Sequence, residues 1–237
     1  MAAGSGSAPG PVDPALSAGV RLVRVDGVRH AAAFLQQLVL PDDCCGCGAV
    51  GPTLCARCRG ALVAEPFRRT AAGVPVVSAL VYDGVVRDVV VAVKNEGRTA
   101  AARPLATALR RAVGVAAGDR EGLLLVPMPT TRRSAVERGY DPLRLLLRRA
   151  GLPEHDVLRL VRRPGDQLRL GREARFANVD RGMAARRRLD GARVLLVDDV
   201  VTTGATLGEA ARAVREAGGA VAGAATLAAT PLRTFRA

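Results

Sequence analysis

Residues 194–206 read VLLVDDVVTTGAT. Four apolar residues run into two carboxylates, Asp198 and Asp199, and then into a threonine-rich turn around Gly204. A short, continuous apolar run bounded by turn residues fits a strand buried on both faces, as in parallel sheets covered by helices. LLLV at 123–126 has the same character. Around these runs the pattern alternates. VVSALVY (76–82), GLLLVPMP (122–129), ARVLLVDDV (192–200) and AVAGAATLA (220–228) are predicted strands. RPLATALRRAV (103–113), GYDPLRLLLRRAG (139–151) and TLGEAARAVREAGG (206–219) are predicted helices, the second with Pro142 in its first turn. The alternation predicts an α/β fold, an open, mainly parallel, twisted sheet flanked by helices.

Two stretches are less clear. YDGVVRDVVVAVKNEG (82–97) has a hairpin signal in Asp83-Gly84, yet Val86, Val89, Val90 and Val93 share one helical face. The stretch from the cysteines to Pro75 reads as a connection. Hydrophobic residues make up 49% of the chain and aromatics 3%, so the core must be built from Val, Leu and Ala.

The formal charge is +13, which favours anionic partners, although a general preference for arginine accounts for it equally well. Of 35 basic residues only Lys94 is a lysine. No segment approaches the apolar length needed to span a membrane, so no membrane insertion is expected. The first residues lack the charge and apolar stretch of a secretory signal, and a cytoplasmic location is expected. Residues 1–28, rich in Ala, Gly, Ser and Pro, read as a disordered tail. HAAAFLQQLVLP (30–41) reads as a short amphipathic helix.

All five cysteines fall within CCGCGAVGPTLCARC (44–58). Cys44 and Cys47 form one C-x2-C pair and Cys55 and Cys58 another, with Cys45 left over. Two such pairs can close a tetrahedral thiolate shell around one structural Zn2+. The expected organisation is a tail at 1–28, a helix plus zinc-knuckle module at 29–65, and the α/β domain at 66–237.

Asp-Asp at a strand end could belong to a nucleoside triphosphatase. That chemistry needs a G-x-x-x-x-G-K-[ST] loop, and the only lysine sits in AVKNEG. Ligands of open α/β sheets bind beyond the carboxyl ends of the strands. There, Thr202, Thr203, Gly204, Ala205 and Thr206 would present N–H groups and hydroxyls at a positive helix N-terminus, a cradle for phosphate. Two carboxylates just before it suit vicinal hydroxyls. Together they describe a ribose 5-phosphate site.

VLLVDDVVTTGAT resembles the phosphoribosyl pyrophosphate (PRPP) signature of type I phosphoribosyltransferases. The resemblance implies that Asp198 and Asp199 bind the ribose hydroxyls and Thr202–Thr206 the 5-phosphate, with Mg2+ accompanying PRPP. A four-cysteine knuckle ahead of such a domain is similar to the competence protein F (ComF) family. Tyr82 with Gly84, Lys94 with Gly97, VPMP with RRSAVERGY, and Gln167 leading to REARFAN extend the likeness over roughly 34–230. It implies a helix over 85–93, with Lys94, Gly97 and Arg138 facing the pyrophosphate, joined by Arg132 or Arg133. One stretch departs from that family: Arg-Gly-Phe-Asn-Gln is replaced by Arg138, Gly139, Tyr140, Asp141 and Pro142.

The function implied is phosphoribosyl transfer, in DNA uptake during natural transformation or in nucleotide metabolism. The sequence names neither a catalytic base nor an acceptor. The alternative is a non-enzymatic competence factor on the same scaffold, which by the resemblance acts with a DNA-uptake helicase and binds single-stranded DNA, for which runs such as 159–163 and 186–188 would suit a polyanion channel. Four Phe and two Tyr offer few platforms for stacked bases.

Overall fold

The computed structural model describes residues 43–161 and 182–231. The tail at 1–28, the helix expected at 30–41 and the Gln167–Asn178 stretch lie outside the described residues.

Helix α1 (Ala56–Gly60) lies within the cysteine segment. Strands β1 (Phe67–Ala71) and β2 (Val74–Val81) follow. Then come α2 (Gly84–Asn95), α3 (Ala102–Ala117), β3 (Leu124–Pro127), α4 (Arg132–Arg138) and α5 (Pro142–Arg149). After these stand β4 (Leu158–Leu160), β5 (Met183–Ala185), β6 (Arg193–Val201), α6 (Ala205–Glu216) and β7 (Ala220–Ala229).

The main sheet has five strands in the order β1-β2-β7-β6-β3. β2, β7, β6 and β3 run parallel, and β1 joins β2 antiparallel. A separate two-stranded sheet pairs β4 with β5. The expected mixed α/β architecture with a mainly parallel sheet is therefore present.

The order of the strands explains how both faces are covered. The path from β2 to β3 runs across the sheet one way, and the step from β6 to β7 runs the other way. Crossovers between parallel strands are right-handed, so opposite directions put α3 and α6 on opposite faces. Both helices are Ala-rich on their inner sides: Ala102, Ala106 and Ala112 in α3, and Ala210, Ala211 and Ala213 in α6, are buried. Small inner side chains let the helices lie close to the sheet, whose central strand β7 is itself mostly alanine between the valine- and leucine-rich β2 and β6. Val194–Val197 of β6 are fully buried, as a continuous apolar run between two helical layers requires.

Periodicity rather than propensity decides residues 84–95. They are helical, with Val86, Val89, Val90 and Val93 buried and the Asp83 side chain accepting from the Gly84 N–H at 2.8 Å. The stretch before Pro75 is not a simple connection. It forms β1, which turns into β2 through Ala72 and Gly73, both with positive φ. Buried Ser78 and Thr226 share a 2.7 Å hydrogen bond between β2 and β7. Glu209 of α6 accepts from the Met183 N–H at 2.8 Å and from Arg212, fixing β5 to α6.

Candidate functional site

Strand β6 is buried through Val197 and half-buried from Asp198 to Val200. Asp198 Oδ1 accepts the N–H of Asp199 at 2.8 Å. It lies beside Thr226 in register, on the side of the sheet that carries the Ser78–Thr226 pair. Burial, and then the Asp199 carboxylate, push the Asp198 pKa up to about 8. The Asp199 carboxylate is met by Lys94, whose Nζ lies 2.6 Å from Oδ2. Lys94 sits in the last turn of α2. The structure thus brings together a ribose candidate and a pyrophosphate candidate from distant parts of the chain.

Thr202 and Thr203 are exposed, and the turn closes at Gly204 with φ 84°. A β-carbon at Gly204 would stand 2.6 Å from Ala71 Cβ, so the β1–β2 turn lies against the start of α6 and no side chain fits there. Thr203 Oγ1 accepts from the Ala205 N–H at 3.3 Å. Gly204 caps α6 without a side chain, which leaves first-turn N–H donors for an anion. Ala205 and Thr206 are exposed at the same end.

Arg69 was not among the sequence candidates. From β1 it donates to Thr230 O at 3.1 Å and to Val201 O and Thr202 O at 2.9 Å each. It therefore ties the ends of β6 and β7 to the first residue of the turn. Burial lowers its pKa.

Gly97 follows α2 with φ 70°, and Arg138 ends α4 before Gly139 with φ 73°. Among the described residues neither Gly97 nor Arg138 makes a hydrogen bond or ion pair with Asp198–Thr206. Thr131 caps α4, accepting from the Ser134 N–H at 3.2 Å. The departure at 140–142 has a structural account. The Tyr140 hydroxyl donates to Val93 O at the end of α2. Asp141 is the N-cap of α5, accepting from the Arg144 N–H at 3.1 Å, and Pro142 occupies the first turn. Asp caps a helix as well as Asn, and Pro at that position costs no hydrogen bond.

The Sγ atoms of Cys44, Cys47, Cys55 and Cys58 all lie within 4.8 Å of one another. Cys47 Sγ and Cys55 Sγ are 3.9 Å apart. Tetrahedral Zn–S bonds of about 2.3 Å place sulfurs about 3.8 Å apart, so the shell fits a zinc-sized ion. Backbone N–H groups of Cys55 and Cys58 point to Cys44 Sγ at 3.4 Å and Cys55 Sγ at 3.5 Å. Such donors stabilise thiolate charge. A side chain at Gly46 would be tight, since its β-carbon would lie 3.0 Å from Cys58 Sγ and from Val85 Cγ1. Cys45 stands outside the four.

The start of α6 thus follows directly on a strand end that carries two adjacent carboxylates. Residues 138–236 match the phosphoribosyl transferase domain. The matched phosphoribosyl transferase span contains Asp198–Thr206 and begins at Arg138; Lys94 and the four cysteines precede it. No curated protein matches the chain. A solved structure of the allosteric regulatory enzyme of purine biosynthesis aligns with TM-score 0.31 and 23% identity, over 53% of this chain and 25% of that one. The chain thus spans about a quarter of that protein, and a likeness so slight carries no weight for fold or function. Among the described residues, no helix is long and apolar enough to cross a membrane.

Proposed function

We propose that this chain binds PRPP, or a related ribose 5-phosphate, at the carboxyl end of β6 and transfers its phosphoribosyl group. The observation carrying this reading is the succession of Asp198, Asp199 and the Thr202–Thr206 turn at the start of α6, within the span that matches a phosphoribosyl transferase domain. Asp198 and Asp199 accept hydrogen bonds from the ribose hydroxyls. The turn and the α6 N-terminus take the 5-phosphate. Lys94, with Gly97 and Arg138, faces the pyrophosphate.

In such a transfer the acceptor's lone pair bonds to the anomeric carbon while the carbon–oxygen bond to pyrophosphate breaks, and the electron pair leaves with pyrophosphate. The protein's part is to position the two and to stabilise developing charge. Carboxylate oxygens at this strand end suit Mg2+, which would neutralise part of the leaving group's charge. Zinc in the Cys44, Cys47, Cys55 and Cys58 shell would serve structure, because four thiolates leave no open coordination position.

We read the chain as a cytoplasmic member of the ComF family with a place in DNA uptake or nucleotide metabolism; the four-cysteine shell, which precedes the matched span, supports the zinc-knuckle part of that reading. The non-enzymatic alternative has less support. In the 186–188 run, Arg186 pairs with Asp156 at 3.2 Å and Arg188 with Asp190 at 3.3 Å, which leaves a weaker strip for a single strand or a helicase.

The test is calorimetric titration with PRPP and Mg2+, wild type against Asp198→Asn/Asp199→Asn. The expected result is magnesium-dependent binding weakened at least about 10-fold in the variant. Absence of binding to the wild type would overturn the reading.

A further inference from the structure

The last turn of α2 ends irregularly. The N–H groups of Glu96 and Arg98 both go to Ala92 O, at 3.1 and 3.2 Å, with Gly97 in a left-handed conformation between them. A helix leaves its final carbonyls without intrahelical partners, and Val93 O is one of these. The hydroxyl of Tyr140, in the turn between α4 and α5, takes it. Val93 C=O and Lys94 N–H share one rigid peptide plane, so this bond fixes the point from which the Lys94 side chain starts. A lysine stem has many rotamers, and a fixed origin reduces the number that miss Asp199.

We propose that Tyr140 is a positioning residue for Lys94: its hydroxyl holds the end of α2 so that the chain's only lysine stays at the Asp198–Asp199 pair. The same bond joins the Lys94–Gly97 turn to the Arg138–Gly139 turn, the two segments read as facing pyrophosphate. The functional meaning rests on the ribose-phosphate reading, whereas the tether itself does not. Burial raises the Tyr140 pKa against a smaller opposing effect of Arg138, so the hydroxyl keeps the proton it donates. Phenylalanine would fill the same space and lose only the donor.

Because Lys94 is the only lysine, amine acylation reports its state directly. The full chain is pulsed with sulfo-N-hydroxysuccinimide acetate at about pH 8, below the ordinary lysine pKa, and Lys94 acetylation is followed by peptide mass spectrometry. Wild type, Tyr140→Phe, Asp199→Asn and the double variant are compared, without PRPP. Loss of one hydrogen bond should speed Lys94 acetylation about 3- to 10-fold in Tyr140→Phe. That gain should vanish in the Asp199→Asn background. Equal rates in wild type and Tyr140→Phe overturn the proposal. So does a gain of equal size with and without Asp199, which would mark general loosening. A parallel PRPP–Mg2+ titration of the wild type reports on the ribose-phosphate reading alone, so the two failures are distinguishable.

Discussion

Lys94 Nζ and Asp199 Oδ2 stand 2.6 Å apart, joining the end of α2 to the end of β6. Both side chains are partly open to water, so the pair contributes at most about 1 kcal/mol to stability. In the ribose-phosphate reading its larger effect is on binding, because the two groups meet at the strand end where that ligand would sit. Lys94→Ala should shift the unfolding free energy by less than about 1 kcal/mol. It should weaken PRPP–Mg2+ binding about 10-fold or more, as removal of a charged contact does. Equilibrium denaturation and calorimetry measure the two effects on the same sample.

Asp198 predicts a pH dependence. Its pKa rises from 3.8 in the unfolded chain to about 8 in the fold. Between those values the folded state holds a proton that the unfolded state has released, so stability falls as pH rises through this window. Asp198→Asn carries no proton to lose and should flatten that part of the curve. The difference between pH 5 and pH 8 should be on the order of 1–2 kcal/mol, because water reaches this half-buried strand end. Urea midpoints across pH decide it; a slope unchanged by the substitution would contradict it.

Gly204 is a demanding position. Its φ is 84°, and an added β-carbon would fall 2.6 Å from Ala71 Cβ. Gly204→Ala should destabilise by about 2–4 kcal/mol, from backbone strain plus overpacking. Chemical denaturation measures the loss, and Gly97→Ala serves as comparison. Gly97 also has positive φ but no atom within 4 Å of an added β-carbon, so strain alone should cost it about 1–2 kcal/mol.

The cysteine shell predicts about one zinc per chain by elemental analysis. Cys45→Ser should keep the metal because Cys45 lies outside the four, while Cys47→Ser should lose it. Chelation should lower the thermal midpoint of wild type, since a ligand bound only to the native state stabilises it by mass action.

Much of this site was legible because its parts are contiguous. Val194–Thr206 supplies strand, carboxylates, turn and helix start in one run, and the cysteine pairs are equally local. What escaped sequence reading is held by partners far away. Phe67–Ala71 carries two adjacent arginines and no alternation, so nothing marks it as a strand until β2 pairs with it. Arg69 matters only because it meets Val201 and Thr202, and Tyr140 because it meets Val93. The three-residue strands β4 and β5 are too short to leave a period. Residues 84–95 show the converse case, in which a local valine preference for strand yields to the burial of one helical face.

β2 has two neighbours in the sheet, β1 and β7, and β7 is the last described strand. Ser78 meets Thr226 across 148 positions of sequence. At synthesis rates of about 5–20 residues per second, β2 would emerge roughly 7–30 s before its parallel partner exists. During that interval Val76, Val77 and Leu80 have no β7 to lie against. The β1–β2 pair and the β3–β6 pair can each form earlier, but β7 lies between them, so their union into one sheet is deferred until β7 leaves the ribosome.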